Sequence, residues 1–352
     1  MRNLKVLLLT GLVAFLFVSC EKDDATTGEY ELGAIVLNEG SYSNSNASIS
    51  FYKYGGTSVQ NDVFNMVNSR SLGDVLQGAV ISNGKIYMVL NNSGKVEVAS
   101  SADFKQLYTI EGLVNPRCAI VVNSKLYVTQ WGSYGENGSV KVFSTEDYSL
   151  ITSITLGKGC EGIAFSNGKI YVANSGGFEL GNTISVIDPS SNTLENTINV
   201  ADCPKELVVD KNGDVWAICS GYIEYDANWN ITSQSPSELA RIDGTTAERV
   251  VLFQDQHPSH IDINSNRDAV FYGGGYGFNG IYKLPVDSRE LATAPTVDGY
   301  FYGFNVNPNN DDIYALLAPN FSSAGTLEIY SNIGADKGEF EVGIGPNTVL
   351  FN

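Results

Sequence analysis

Two histidines, His257 and His260, are all the chain contains, and they stand three residues apart in Gln256-His257-Pro258-Ser259-His260. Imidazoles at that spacing suit two tasks: ligating a metal, directly or through a bound group, and hydrogen bonding that holds a loop. No third ligand cluster accompanies them, which favours the loop role. Glu161, in Gly159-Cys160-Glu161, and Glu206, in Pro204-Lys205-Glu206, are carboxylates in similar loop contexts. The chain has no nucleophile elbow, phosphate loop, HExxH or CxxC. The expectation is therefore a protein that is not an enzyme and has no metal or cofactor of its own. Aromatic rings are the more informative chemistry. They cluster in glycine-rich stretches such as Gln130-Trp131-Gly132-Ser133-Tyr134-Gly135 and Gly273-Gly274-Gly275-Tyr276-Gly277-Phe278. Rigid rings with polar tips suit a ligand that is broad, partly apolar and rich in amides or hydroxyls.

The elements that position these residues repeat. An apolar strand returns as Ala34–Asn38, Lys85–Val89, Lys125–Thr129, Lys169–Ala173, Asp214–Ile218, Ala269–Gly273 and Asp312–Leu316. Six of the seven carry an aromatic at one register: Tyr87, Tyr127, Tyr171, Trp216, Phe271 and Tyr314, spaced 40, 44, 45, 55 and 43 residues apart by subtraction. A period in that range, with about four strands per repeat, predicts the blades of an all-β propeller. Letter the strands of each blade a to d from axis to rim. Blade 3 then reads 119–122, 125–130, 139–143 and 150–156, and blade 4 reads 162–165, 169–174, 183–187 and 194–200. The a–b turns, such as Ser82-Asn83-Gly84, Asn123-Ser124 and Ser166-Asn167-Gly168, suit tight hairpins. The first repeat begins at strand b. The last segment, Gly345-Pro346-Asn347-Thr348-Val349-Leu350-Phe351, reads as the missing strand a. It is expected to complete blade 1 and close a seven-bladed ring with no open sheet edge.

Strand direction sorts the loops: every d–a and b–c loop opens on one face, and every a–b and c–d turn on the other. The b–c loops bring Tyr42, Trp131, Tyr134, Phe178, Tyr222, Tyr225, Tyr276, Phe278 and Phe321 to the first face, with Trp229 nearby. The d–a loops add Arg117, Glu161, His257, His260, Tyr300 and Tyr302 around the axis. These fifteen residues are the expected binding set. The competing role for any one ring is to cover a blade top.

Residues 1–19 read as a secretory signal: Arg2 and Lys5 precede the apolar run Val6–Val18, which is too short for a stop-transfer helix. Cys20 follows Ser19 as the lipid-bearing cysteine of a bacterial lipobox would, and residues 20–32 form the tether before a propeller over 33–352. Lys22-Asp23-Asp24 resembles the surface-export signal of Bacteroidota lipoproteins. The expected location is the outer face of the outer membrane, held there by the lipid. Formal net charge is -18, and loss of Arg2 and Lys5 takes it to about -20, so nucleic acid is a poor partner. Cys118, Cys160, Cys203 and Cys219 remain in a compartment that permits disulfides. The spacing leaves both their pairing and the free-thiol alternative open.

The repeat Gly162-Ile163-Ala164, Asn167-Gly168-Lys169-Ile170-Tyr171-Val172-Ala173-Asn174, Ser185-Val186-Ile187-Asp188 resembles that of the YVTN or YncE-like seven-bladed propellers. The resemblance covers nearly all of 33–352 and is specific for fold. The lipoprotein signal, the single propeller, and the opening Val36-Leu37-Asn38-Glu39-Gly40 with Tyr42 together look like the BtuG-type surface proteins. That resemblance implies capture of cobalamin and its transfer to a TonB-dependent outer-membrane transporter. The alternatives are a propeller enzyme of the lyase or lactonase type, using His257, His260 and Glu161, and an adhesin that binds glycan or protein through the same rim.

Overall fold

Asn83-Gly84, Asn123-Ser124 and Asn167-Gly168 each hold two successive positive φ angles, 51° and 71°, 50° and 58°, and 47° and 78°. That is the backbone of the two-residue turn whose twist matches the strands it joins. Hairpins built on such turns organise the computed structural model, which describes residues 28–352. The fold is all-β: seven four-stranded antiparallel sheets arranged as a propeller. The signal segment and Cys20 lie outside the described residues. No helix among the described residues is long and apolar enough to cross a membrane.

The predicted strands of blade 3 are observed at Pro116–Val122, Lys125–Gln130, Ser139–Ser144 and Leu150–Thr155. Those of blade 4 run Cys160–Ser166, Lys169–Asn174, Thr183–Asp188 and Thr193–Asn199. Closure also forms as expected. Pro346–Phe351 pairs antiparallel with Gly33–Asn38, matching Val36 to Val349 and Ala34 to Phe351, and becomes the inner strand of blade 1. Asn352 secures the seam, its amide donating to the carbonyls of Tyr30 and Ser101.

The recurrent aromatic of strand b is buried between blades, with Tyr127, Trp216 and Phe271 fully so. Trp216 packs with Ile261, Val270 and Tyr272 of the next blade. The Tyr127 hydroxyl donates to Asn192 Oδ1 at 2.7 Å, in the c–d turn of blade 4. Truncating such a ring to Ala costs about 3–5 kcal/mol, so the register that repeats in sequence is the one that joins blades.

Three features depart from a uniform repeat. A six-residue helix, Val63–Asn68, caps the path from blade 1 to blade 2 and buries Val63 and Phe64. The b–c loop of blade 5 carries its own hairpin, Ile223–Tyr225 with Ile231–Gln234. Blade 2 joins strands b and c by the tight turn Asn91–Gly94 and sends no aromatic loop to the face. The four cysteines among the described residues, Cys118, Cys160, Cys203 and Cys219, are all free thiols.

Candidate functional site

Seven blades converge on the axis, and the first turn of strand a decides what each presents there. In five blades strand a carries one extra residue at its entry, a bulge against strand b. An extra residue breaks the ladder and re-aims a side chain. The residues at this position are Asn347, Gln77, Arg117, Glu161 and Lys205, in blades 1 to 5. His260 opens strand a of blade 6, and Tyr302 immediately precedes strand a of blade 7. With Glu39 from the end of the first b strand, all line one axial mouth of ≈ 210 Å³. A deeper cavity of ≈ 240 Å³ shares Gln77, Cys118, Glu206 and His260 with it and reaches Asp262 and Asn305.

Two pairs of charges face each other in the mouth, Arg117 with Glu161 and His260 with Glu206. Arg117 Nε and Nη2 lie 2.8 and 2.6 Å from Glu161 Oε1, and Nη1 donates to Gln77 Oε1 at 2.7 Å. The guanidinium also sits 4.4 Å from the Trp131 ring centre. Trp131 Nε1 donates to the other Glu161 oxygen at 2.7 Å. Burial would raise the Glu161 pKa, but Arg117, Lys205 and the Trp131 bond outweigh it and hold the carboxyl below its ordinary value. His260 Nδ1 is 3.0 Å from Glu206. Burial disfavours the imidazolium, yet Glu206 and Glu39 raise its pKa above the usual value. Glu39 accepts from Asn347 at 2.9 Å and from Tyr302 at 3.3 Å, while burial pushes its carboxyl toward the neutral form. Deeper in, burial lifts Asp262 to about 6 despite hydrogen bonds from Val306 and Asn305. Cys118 is pushed up to about 12, mainly by burial, which disfavours its thiolate.

Around the mouth lies the aromatic rim. That the b–c and d–a loops share a face is explicit in their backbone bonds: Trp131 to Asn115, Ser175 to Gly159, Ser220 to Cys203 and Ser259 to Gly273. Phe178 packs against Trp131 and Tyr134, with centroids 5.3 and 5.9 Å apart, and bridges blades 3 and 4. Tyr225 and Trp229 cluster on the blade 5 hairpin, and Tyr302 packs on Phe321. Tyr42, Tyr134, Tyr276 and Tyr300 are exposed, Tyr276 at 85%. Tyr276 borders three cavities: the mouth, one of ≈ 360 Å³ with Tyr300 and Pro319, and one of ≈ 380 Å³ with Tyr222, Tyr225 and His257.

Some expected residues take other roles. Phe278 is 3% exposed and packs on Phe253 and Tyr282, so it is core and not rim. Gly277, at φ 81°, turns the chain inward between Tyr276 and Phe278 and separates their fates. His257 and His260 do not converge: His257 Nδ1 meets the Ser220 carbonyl at 2.7 Å beside the blade 5 hairpin, while His260 faces the axis. Among the described residues no group of three metal-binding side chains assembles. Tyr222 is half-buried, its hydroxyl shared with Ser233. Trp131 is half-buried too, its N–H committed to Glu161. Glu206, singled out in the sequence with Glu161, and its neighbour Lys205 do line the mouth, whereas Glu39, Gln77 and Asn347 line it too but fall outside the sequence-derived candidates. A signal for them exists in the prolines that open strand a: Pro116-Arg117, Pro204-Lys205 and Pro346-Asn347 place the axial residue directly after the ring.

The geometry agrees with a match over most of the chain. The chain belongs to the DUF5074 family, a domain of unknown function, whose model matches residues 32–338. No curated protein matches it. Among solved structures it is similar to a quinonprotein alcohol dehydrogenase-like protein from Bacteroides thetaiotaomicron, with 13% identity over 92% of this chain and 78% of that one and a TM-score of 0.68. A 6-phosphogluconolactonase candidate from Bacteroides uniformis has 13% identity over 92% and 100%, with a TM-score of 0.65. Kuenenia stuttgartiensis hydrazine synthase has 18% identity over 72% and 76%, with a TM-score of 0.55. At these identities the likeness is one of fold.

Proposed function

We propose that this propeller is a non-enzymatic capture protein for a corrinoid such as cobalamin, held on the outer membrane through Cys20, and that it passes its ligand to a TonB-dependent transporter. The observation that carries the reading is the rim of exposed rings, Tyr42, Tyr134, Tyr276 and Tyr300, around a mouth of hydrogen-bonding groups. A corrin is a broad, semi-apolar disc fringed with amides. Rings meet its edges, and amide and carboxyl groups such as Gln77, Asn347 and Glu39 meet its fringe. Blade tops tied by backbone bonds lose little freedom on binding, which favours tight capture. The resemblance to BtuG-type surface proteins supports the same ligand class.

The neighbours named for dehydrogenase-like and lactonase activities suggest a second reading, catalysis at the axis, to which the His260–Glu206 pair in the cavity lends support. Titration with cyanocobalamin separates the two. Capture predicts a heat of binding and a shifted corrin absorbance at micromolar protein, with the ligand recovered unchanged. No binding at that concentration overturns it.

A further inference from the structure

One cation of the axial mouth, Lys205, has no bonded partner among the described residues, although it lies within electrostatic reach of Glu161. The chain carries 39 acidic against 21 basic residues, yet blades 3, 5 and 6 bring Arg117, Lys205 and His260 to one small opening. Arg117 is neutralised by Glu161 and His260 faces Glu206. Glu39, the third carboxyl at the rim of the mouth, is bonded to Asn347 and Tyr302 and is driven toward its neutral form by burial. Lys205 makes no hydrogen bond or ion pair among the described residues, although it lines the same cavity. Its backbone is fixed. Pro204 and the bulge set its position, and Gly162 of blade 4 lies so close that a Cβ there would collide with the Lys205 carbonyl.

We infer that the mouth is an anion pocket in which the Lys205 ammonium, lining the same opening as Arg117 and His260, receives a phosphodiester-type monoanion. This deepens the corrinoid reading and rests on it: complete cobalamins carry one such phosphodiester in the nucleotide loop, whereas cobinamides lack it. An ammonium offers three donors and a point charge. Inside a partly enclosed opening, with its neighbours already paired, a charge-assisted bond to an anion is stronger than it would be on the open surface. The acidic exterior repels free anions, so an anion delivered on a ligand whose body binds the aromatic rim has the advantage of being tethered.

The test is Lys205→Gln, titrated with cyanocobalamin and with cyanocobinamide, and Lys205→Arg as the charge-conserving control. The expected result is about ten- to hundredfold weaker cyanocobalamin binding by Lys205→Gln. Cyanocobinamide should stay within about twofold, and Lys205→Arg should recover most of the loss. Equal losses for both ligands, or no loss for either, overturn the anion pocket while leaving corrinoid capture standing. If wild-type protein binds neither corrinoid, capture itself fails. The pocket is then judged with inorganic phosphate and dimethyl phosphate followed by phosphorus NMR. Broadening or shift with wild type that Lys205→Gln abolishes supports it, and identical spectra with both proteins refute it.

Discussion

Replacing Arg117 with Met isolates the buried ion pair at the centre of the mouth. The side chains of Arg117 and Glu161 are 15% and 8% exposed, so the change leaves a carboxylate stranded in a site built for its partner. The Glu161 oxygens retain only Trp131 and Ser175 as donors. Removing one member of a buried pair costs about 3–5 kcal/mol. Unfolding entropy near 2.1 cal/mol/K per residue sums to about 0.7 kcal/mol/K for a domain of this size, so the melting temperature should fall by about 4–7 °C at pH 7.5. The pH dependence follows from the protonation states. In the wild type the Glu161 pKa is depressed, so its contribution is present above the ordinary carboxylate range and lost as pH falls through the folded value. Without Arg117, burial is the largest remaining influence and raises that pKa. The variant then loses stability as pH rises, and the gap to wild type should shrink by more than half at pH 4.5. Adding Glu161→Gln to the variant should recover much of the loss, because no charge is left stranded. Calorimetric unfolding at both pH values is the assay. A shift below about 1 °C at pH 7.5, or one equally large at pH 4.5, would refute the ion pair as drawn.

Ending the chain at Gly345 deletes the inner strand of blade 1, exposes two sheet edges and removes buried Val349 and Asn347. Gel filtration and thermal unfolding should show aggregation or loss of a cooperative transition, and an unchanged melting temperature would contradict closure. Protease added to intact cells should shave the protein from the surface, and mass spectrometry should find acyl chains on Cys20. Protection until the outer membrane is broken would exclude surface display.

The blades were legible because their repeat is written in the chain. Strand b returns as a short apolar run with an aromatic at one register, as in Lys125–Gln130 and Lys169–Asn174, and Asn-Gly pairs mark the hairpins. Closure was legible because blade 1 lacked a strand and the terminus supplied one. The face was legible through strand direction alone. What stayed hidden depends on contacts between distant segments. Glu39 and Asn347 are 308 residues apart and meet only because the ring closes. Periodicity does not report the bulge that turns Gln77 to the axis, since one inserted residue leaves the strand pattern intact. Phe278 misled because composition does not say on which side of Gly277 the chain turns inward. His257 and His260 share a loop in sequence but straddle the start of strand a, which sends them to different cavities.

The central claim is that a corrinoid binds on the aromatic face around the mouth, and calorimetric titration with cyanocobalamin tests it directly when run on matched variants. Tyr134 and Tyr276 are the rings to remove, since both are highly exposed and neither holds the core, whereas Trp131 also steadies Glu161. Tyr134→Ala with Tyr276→Ala should retain the melting transition and weaken binding by about tenfold to a hundredfold per ring, or 1–3 kcal/mol each. Asn83→Ala and Asn167→Ala, in the turns of the opposite face, should leave affinity unchanged while costing some turn stability. The account predicts loss confined to the aromatic-face variants. Absence of binding by the wild type, or equal binding by the wild type and the Tyr134 and Tyr276 variants, would contradict it.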